Sequence, residues 1–150
     1  MASQTRLTDF LPYLLSITSN AVSDRIADEY RAHFGLKIPE WRVMAVLGDQ
    51  GAATQRALVE ATRMDKVAVN RACRVLEDRG LLARRPNTAD GRSHHLELTS
   101  AGREVHGAIM PIALEMEGRL FSALSAGERG LFKDLLERIR AEAEPTGNQS

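Results

Sequence analysis

The chain has 150 residues, of which 27% are charged and 43% hydrophobic, with 20 Lys and Arg set against 20 Asp and Glu. That length suits one domain, and the mixture excludes disorder, collagen-like repeats and a chain that is coiled coil alone. No apolar run approaches the ~20 residues of a membrane span, and Met1-Ala2-Ser3-Gln4-Thr5-Arg6 lacks the apolar core of a secretory signal. The single cysteine, Cys73, has no internal disulfide partner, which fits a reducing cytoplasm.

The neutral total conceals a local excess. Residues 62–92 hold Arg63, Lys66, Arg71, Arg74, Arg79, Arg84, Arg85 and Arg92 against Asp65, Glu77, Asp78 and Asp90, so this segment is basic and the remainder acidic. A basic segment on a neutral chain predicts a local anionic contact and no general stickiness.

In chain order, Thr8 and Asp9 are expected to cap a first helix, with Pro12 tolerated in its first turn. Phe10, Leu14, Ile17 and Ala21, flanked by Leu15, Val22, Ile26 and Tyr30, give that helix more apolar surface than one narrow face. It closes at Phe34-Gly35 and is expected to serve partly as an oligomer contact. Ile38-Pro39-Glu40 starts a short buried helix through Trp41, Val43, Met44, Val46 and Leu47, ending at Gly48. After a turn at Gly51 to Ala53, Thr54 caps a third helix carrying Ala57, Leu58 and Ala61. A fourth starts near Asp65 and stops at Gly80. The link Thr62-Arg63-Met64 makes these two a helix-turn-helix.

Leu81 to Arg85 and Ser93 to Leu98 read as two strands joined by the turn formers Pro86 to Arg92, a hairpin with a basic tip. Thr99 or Ser100 caps a fifth helix, which Pro111 is expected to kink. Ser125-Ala126-Gly127-Glu128 is a capping box opening a sixth helix with Leu131, Leu135, Leu136 and Ile139. Residues from Pro145 on read as a frayed tail.

On the fourth helix, Val69, Ala72, Cys73 and Leu76 share a core face and leave Lys66, Val67, Asn70, Arg71 and Arg74 to solvent. A helix fits the major groove, where Arg pairs with guanine and Asn with adenine. Asn70 and Arg71 are therefore assigned to base edges, and Lys66, Arg74 and the helix N-terminus to phosphates. The plainer alternative is a solvated basic face.

The passages Met64-Asp65-Lys66-Val67-Ala68-Val69-Asn70-Arg71 and Leu76-Glu77-Asp78-Arg79-Gly80-Leu81-Leu82 are followed by Arg84-Arg85-Pro86, Asp90-Gly91-Arg92, Leu96-Glu97-Leu98-Thr99 and Gly102. In order and spacing this series resembles the MarR family of bacterial transcription regulators, from about Phe10 to about Ala143. The resemblance implies a single domain over residues 1–150. Its fold is mainly α with a two-stranded β-wing, a winged helix-turn-helix at 36–99, and long terminal helices at 8–35 and 100–143 forming a dimer lobe. Residues 144–150 are the tail.

Its implied function is that of a homodimeric repressor on a palindromic double-stranded operator, nucleoid-associated when bound, with DNA contacts from Lys66, Val67, Ala68, Asn70, Arg71, Arg74, Arg84 and Arg92. Arg92 resembles the wing arginine that enters the minor groove, steadied by Asp90, which is expected to pair with Arg84 or Arg92. Where many relatives carry Asp-Arg-Arg, Asp90-Gly91-Arg92 lacks one positive charge. Family members often release DNA on binding a small aromatic carboxylate or aromatic acyl-CoA between their lobes. Candidate effector contacts are Tyr13, Ser16, Ile17 and Asn20 with Trp41 and Arg42, although Ile17 and Trp41 also suit a plain core.

Two other readings compete: a redox-responsive regulator using Cys73, and a dimeric adaptor that binds no DNA. The first is opposed by the mid-helix core position of Cys73 and the absence of a resolving cysteine. No HExxH, phosphate-binding glycine loop or nucleophile elbow supports an enzyme, and the adjacent His94 and His95 point to opposite strand faces. No cofactor or metal is expected.

Overall fold

The computed structural model describes residues 6–86 and 94–145. The elements are α1 (Leu11–Phe34), α2 (Ile38–Gln50), β1 (Ala53–Thr54), α3 (Gln55–Thr62), α4 (Lys66–Asp78), β2 (Leu82–Pro86), β3 (His94–Leu98), α5 (Ser100–Leu120) and α6 (Ala126–Ala143). They fall into two compact units, divided between Ala113 and Leu114.

In the first unit, α1 starts later than its polar residues suggest. Leu7–Asp9 form a 3₁₀ turn in which Asp9 N–H donates to Arg6 O and Phe10 N–H to Leu7 O. Thr8 and Asp9 are thus consumed in that turn, and Phe10 sits at the N-cap without a side-chain bond. Pro12 lies in the first turn, where no intrahelical N–H is lost. Gly35 closes α1 at φ 63°, a left-handed conformation that a side chain disfavours.

Helix α2 has Pro39 in its first turn, and the buried Glu40 carboxylate accepts the Lys37 backbone N–H at 3.1 Å. It passes the expected stop at Gly48 and runs to Gln50, because Gly51 supplies the break at φ 80°. Thr54 Oγ1 accepts from Ala57 N–H at 3.1 Å and Asp65 from Ala68 N–H at 2.8 Å, so both helices of the helix-turn-helix are capped by side chains. Between them Arg63 adopts φ 56°. It is the one non-glycine residue with positive φ among those described, a conformation costing about 1–2 kcal/mol.

The end of α4 is a Schellman closure, with Leu81 N–H donating to Leu76 O at 2.9 Å and Gly80 N–H to Glu77 O at 3.0 Å. That turn aims the chain into the sheet, whose order is β1-β3-β2, antiparallel throughout. Leu82 faces Leu98 and Arg84 faces Leu96, while the two-residue β1 pairs Ala53 with Leu96. The expected hairpin thus gains a third strand on its inner edge. The core of this unit includes Leu36, Val43, Met44, Leu58, Val69, Leu76, Leu96 and Ile109, all fully buried. Full burial of each such side chain is worth about 1.5–3 kcal/mol.

Thr99, of the two residues expected to cap α5, does so: its Oγ1 accepts Gly102 N–H at 3.0 Å and donates to Gly80 O at 2.7 Å. A Cβ at Gly102 would overlap the Leu81 carbonyl oxygen, so glycine there lets α5 lie against the strand entry. The helix continues through Pro111 to Leu120.

In the second unit, Ser125 and Glu128 form the expected capping box at 3.1 and 2.8 Å. The Arg129 guanidinium donates to Phe121 O at 2.9 Å, and Phe121 and Phe132 stack with centroids 5.9 Å apart. Leu114, Leu131, Leu135 and Ile139 are left exposed.

Candidate nucleic-acid interface

Helix α4 divides as its sequence periodicity requires. Val69, Ala72, Cys73 and Leu76 are buried, whereas Lys66, Val67, Asn70, Arg71 and Arg74 are exposed and Ala68 is half-buried. With Asp65 at the N-cap, the free backbone N–H groups of the first turn add partial positive charge to that end of the exposed face.

The other described arginines of the basic segment are occupied within the fold. Arg79 donates to Phe34 O at 2.9 Å and to Gly35 O at 3.4 Å, tying the end of α4 to the end of α1. Arg84 donates to Glu77 Oε1 through Nε at 3.0 Å and through a terminal nitrogen at 2.8 Å, bracing β2 against α4. Arg85 pairs with Glu97 on the adjacent strand at 2.5 Å, and Arg63 donates to Glu60 O at 3.1 Å. Among the described residues, Lys66, Arg71 and Arg74 have no hydrogen-bond or ion-pair partner. The unneutralised cations described within residues 62–92 therefore sit on one helix face, where an anionic backbone is best accommodated. Arg71 also borders a cavity of about 150 Å³ lined by Lys37, Pro39, Glu40 and Val75.

Arg84, expected to contact DNA and named with Arg92 as a partner for Asp90, has its guanidinium held by Glu77. Asp90 and Arg92, expected at the tip of the wing, lie outside the described residues.

The six candidate effector contacts do not line the cavities of about 150, 350 and 410 Å³ found elsewhere among the described residues. Tyr13 is half-buried, and Ser16, Ile17, Asn20 and Arg42 are exposed. Trp41 meets α1 at Tyr30, with ring centroids 5.3 Å apart, and Tyr30 lies about 15 Å of helix beyond Asn20. On its other side Trp41 packs against His106 of α5 at 5.7 Å, and burial pushes the Tyr30 hydroxyl pKa up. His106 in turn lies against Gly48 and borders a cavity of about 350 Å³ with Leu47, Gly51, Glu97, Leu98 and Arg103. Sequence periodicity put Tyr30 on an apolar stripe of α1 but gave no signal for its contact with Trp41, for that of Trp41 with His106 or for that of His106 with Gly48, since each pair comes from separate elements. The glycine inside a helical run was the available hint.

Cys73 is fully buried, and its thiol pKa is pushed up to about 11 by burial and by the Glu77 charge, against a smaller opposing effect of Arg84. A thiol so protonated and enclosed is a poor nucleophile. No group of three or more metal-ligating side chains occurs among the described residues, and no described helix is long and apolar enough to cross a membrane.

A capped helix-turn-helix followed by a β-hairpin defines the winged-helix class of transcription regulators. The MarR family profile matches residues 34–93. The transcriptional regulator HosA of Escherichia coli O127:H6 is 32% identical over 101 residues, covering 67% of this chain and 75% of HosA. Bordetella bronchiseptica BpsR, whose DNA binding is regulated by 6-hydroxynicotinic acid, superposes with a TM-score of 0.85 at 25% identity, covering 92% of this chain and 98% of BpsR. S. aureus MepR, solved in complex with DNA, gives 0.81 at 25% identity over 90% of this chain and 99% of MepR. The chain belongs to the MarR family and is a transcriptional regulator, not an enzyme.

Proposed function

We propose that this protein is a cytoplasmic homodimeric repressor, nucleoid-associated when bound, that seats α4 of each protomer in successive major grooves of a palindromic operator and is released by a small aromatic carboxylate or its CoA thioester. The observation that carries the reading is the exposed face of α4, where Lys66, Asn70, Arg71 and Arg74 lack protein partners while the neighbouring arginines brace the fold. Asn70 and Arg71 read base edges, and Lys66 and Arg74 hold phosphates beside Val67 and Ala68. Arg84 supports the wing, and Arg92, steadied by Asp90, enters the minor groove.

Residues 36–99 act as the DNA lobe, and helices within 8–35 and 100–143 as the dimer lobe. The apolar side chains left in solvent on α1, α5 and α6, among them Leu11, Leu15, Leu114, Leu131 and Ile139, support that assignment. A two-fold dimer places its recognition helices about 34 Å apart, one turn of DNA. The effector contacts are Tyr13, Ser16, Ile17, Asn20, Trp41 and Arg42. An aromatic carboxylate is favoured because BpsR responds to one, 6-hydroxynicotinic acid. Release requires that the effector bind the non-DNA-binding conformer more tightly, so operator DNA must weaken effector binding by the same factor.

The test is a salt titration of binding to the protein's own upstream DNA, repeated with aromatic acids and their CoA thioesters. Tight, salt-dependent binding that one compound abolishes is the expected result. Arg71→Ala should cost about 1–3 kcal/mol on the specific site and relax discrimination, whereas Arg74→Ala should weaken all sequences alike. Equal losses on all sequences for both variants would refute the base-contact assignment, and no specific binding even at low salt would favour the adaptor.

A further inference from the structure

Val67 is 64% exposed and is the one large apolar side chain so exposed within residues 36–99 among those described. It occupies the second position of α4, after the Asp65 cap and Lys66, where recognition helices address base edges. Val67, Asn70, Arg71 and Arg74 follow at i, i+3, i+4 and i+7 and so form one stripe. An isopropyl group between unpartnered cations gains nothing from water and nothing from its own protomer. The major-groove feature that it complements is the thymine C5-methyl group.

Resting on the DNA-binding reading above, we propose that Val67 is a specificity-determining residue that reads a thymine methyl in each half-site. Neighbouring side chains on a helix lie about 5–6 Å apart and base pairs about 3.4 Å, so this thymine falls within about two base pairs of the bases addressed by Asn70 and Arg71. Burying one methyl-sized group is worth about fourfold in affinity, or about fifteenfold when both half-sites are altered. Because Val67 is exposed, trimming it leaves the core intact, and alanine is the better helix former.

The experiment selects a high-affinity duplex from a random library with the full-length protein, then replaces each thymine pair of that duplex in turn by deoxyuridine, which removes only the methyl group. The wild-type protein should lose about fifteenfold at one symmetric pair of positions, Val67→Ala should lose nothing further there, and 5-methylcytosine at that position should bind the wild type better than cytosine does. Val67→Thr, which keeps one methyl group, should retain part of the discrimination. If the wild type binds the selected duplex specifically but no deoxyuridine substitution separates it from Val67→Ala, the methyl contact is overturned while DNA recognition stands. Enrichment of no sequence would overturn both.

Discussion

Gly48→Ala should destabilise the wild-type protein and stabilise a His106→Ala variant. A Cβ at Gly48 would lie 2.6 Å from His106 Cδ2 and 2.7 Å from Cε1, with Nε2 closer still. The imidazole cannot simply swing away without giving up its contact with Trp41, whose ring centroid lies 5.7 Å from its own. Overpacking of this kind costs about 1–3 kcal/mol, against up to about 1 kcal/mol gained by replacing a helical glycine with alanine. In the wild type the net is a loss of up to about 2 kcal/mol; without the imidazole only the helix gain of up to about 1 kcal/mol remains. At this chain length each kcal/mol moves Tm by about 2–4 °C. Thermal and urea unfolding of the four proteins, at one fixed concentration so that any self-association contributes equally to Tm, would show the reversal of sign. An effect of the same sign and size in both backgrounds would refute the argument.

Gly102→Ala, which meets backbone at Leu81, should cost more than about 2 kcal/mol, while Gly107→Ala, with no atom within 4 Å, should gain up to about 1 kcal/mol in the same unfolding assay. Cys73 should resist iodoacetamide at pH 8 in the native protein and react only on unfolding, since its thiol is buried with a pKa of about 11; oxidants should accordingly leave DNA binding unchanged in both wild type and Cys73→Ser. Ser125→Ala should cost about 1 kcal/mol through loss of the cap. The Ser125 backbone N–H and, to a smaller extent, its hydroxyl lower the Glu128 pKa, so their stabilisation is present above the ordinary carboxylate range and lost as pH falls through the lowered value; Ser125→Ala, which keeps the backbone N–H, should reduce that acid limb only in part, whereas Glu128→Gln should remove it.

The elements legible in the sequence were those set by neighbours along the chain. Thr54, Asp65 and Ser125 cap the helices that their positions announce, and the 3.6-residue period of α4 separated its buried from its exposed side chains. What escaped was non-local. Ala53 and Thr54 are a strand only because β3 lies beside them, and Gly48 passes inside a helix because Gly51 breaks it. The cluster of Tyr30, Trp41 and His106 draws one residue from each of three helices, so no periodicity within a single helix encodes it. The charge count likewise placed eight cations in one segment without showing that Arg79, Arg84 and Arg85 are committed to carbonyls and carboxylates.

The Arg79 bonds to Phe34 and Gly35 bear on how a signal could travel. They clamp the end of α4 to one end of α1, a rod of 24 residues and hence about 36 Å in length. Pivoted near its far end, such a rod needs a swing of only about 5° to carry the clamped end about 3 Å, close to the 3.4 Å spacing of stacked base pairs. In the proposed dimer on DNA, a minor adjustment at that far end would thereby be geared up into a shift of DNA register, with a single guanidinium as the coupling pin.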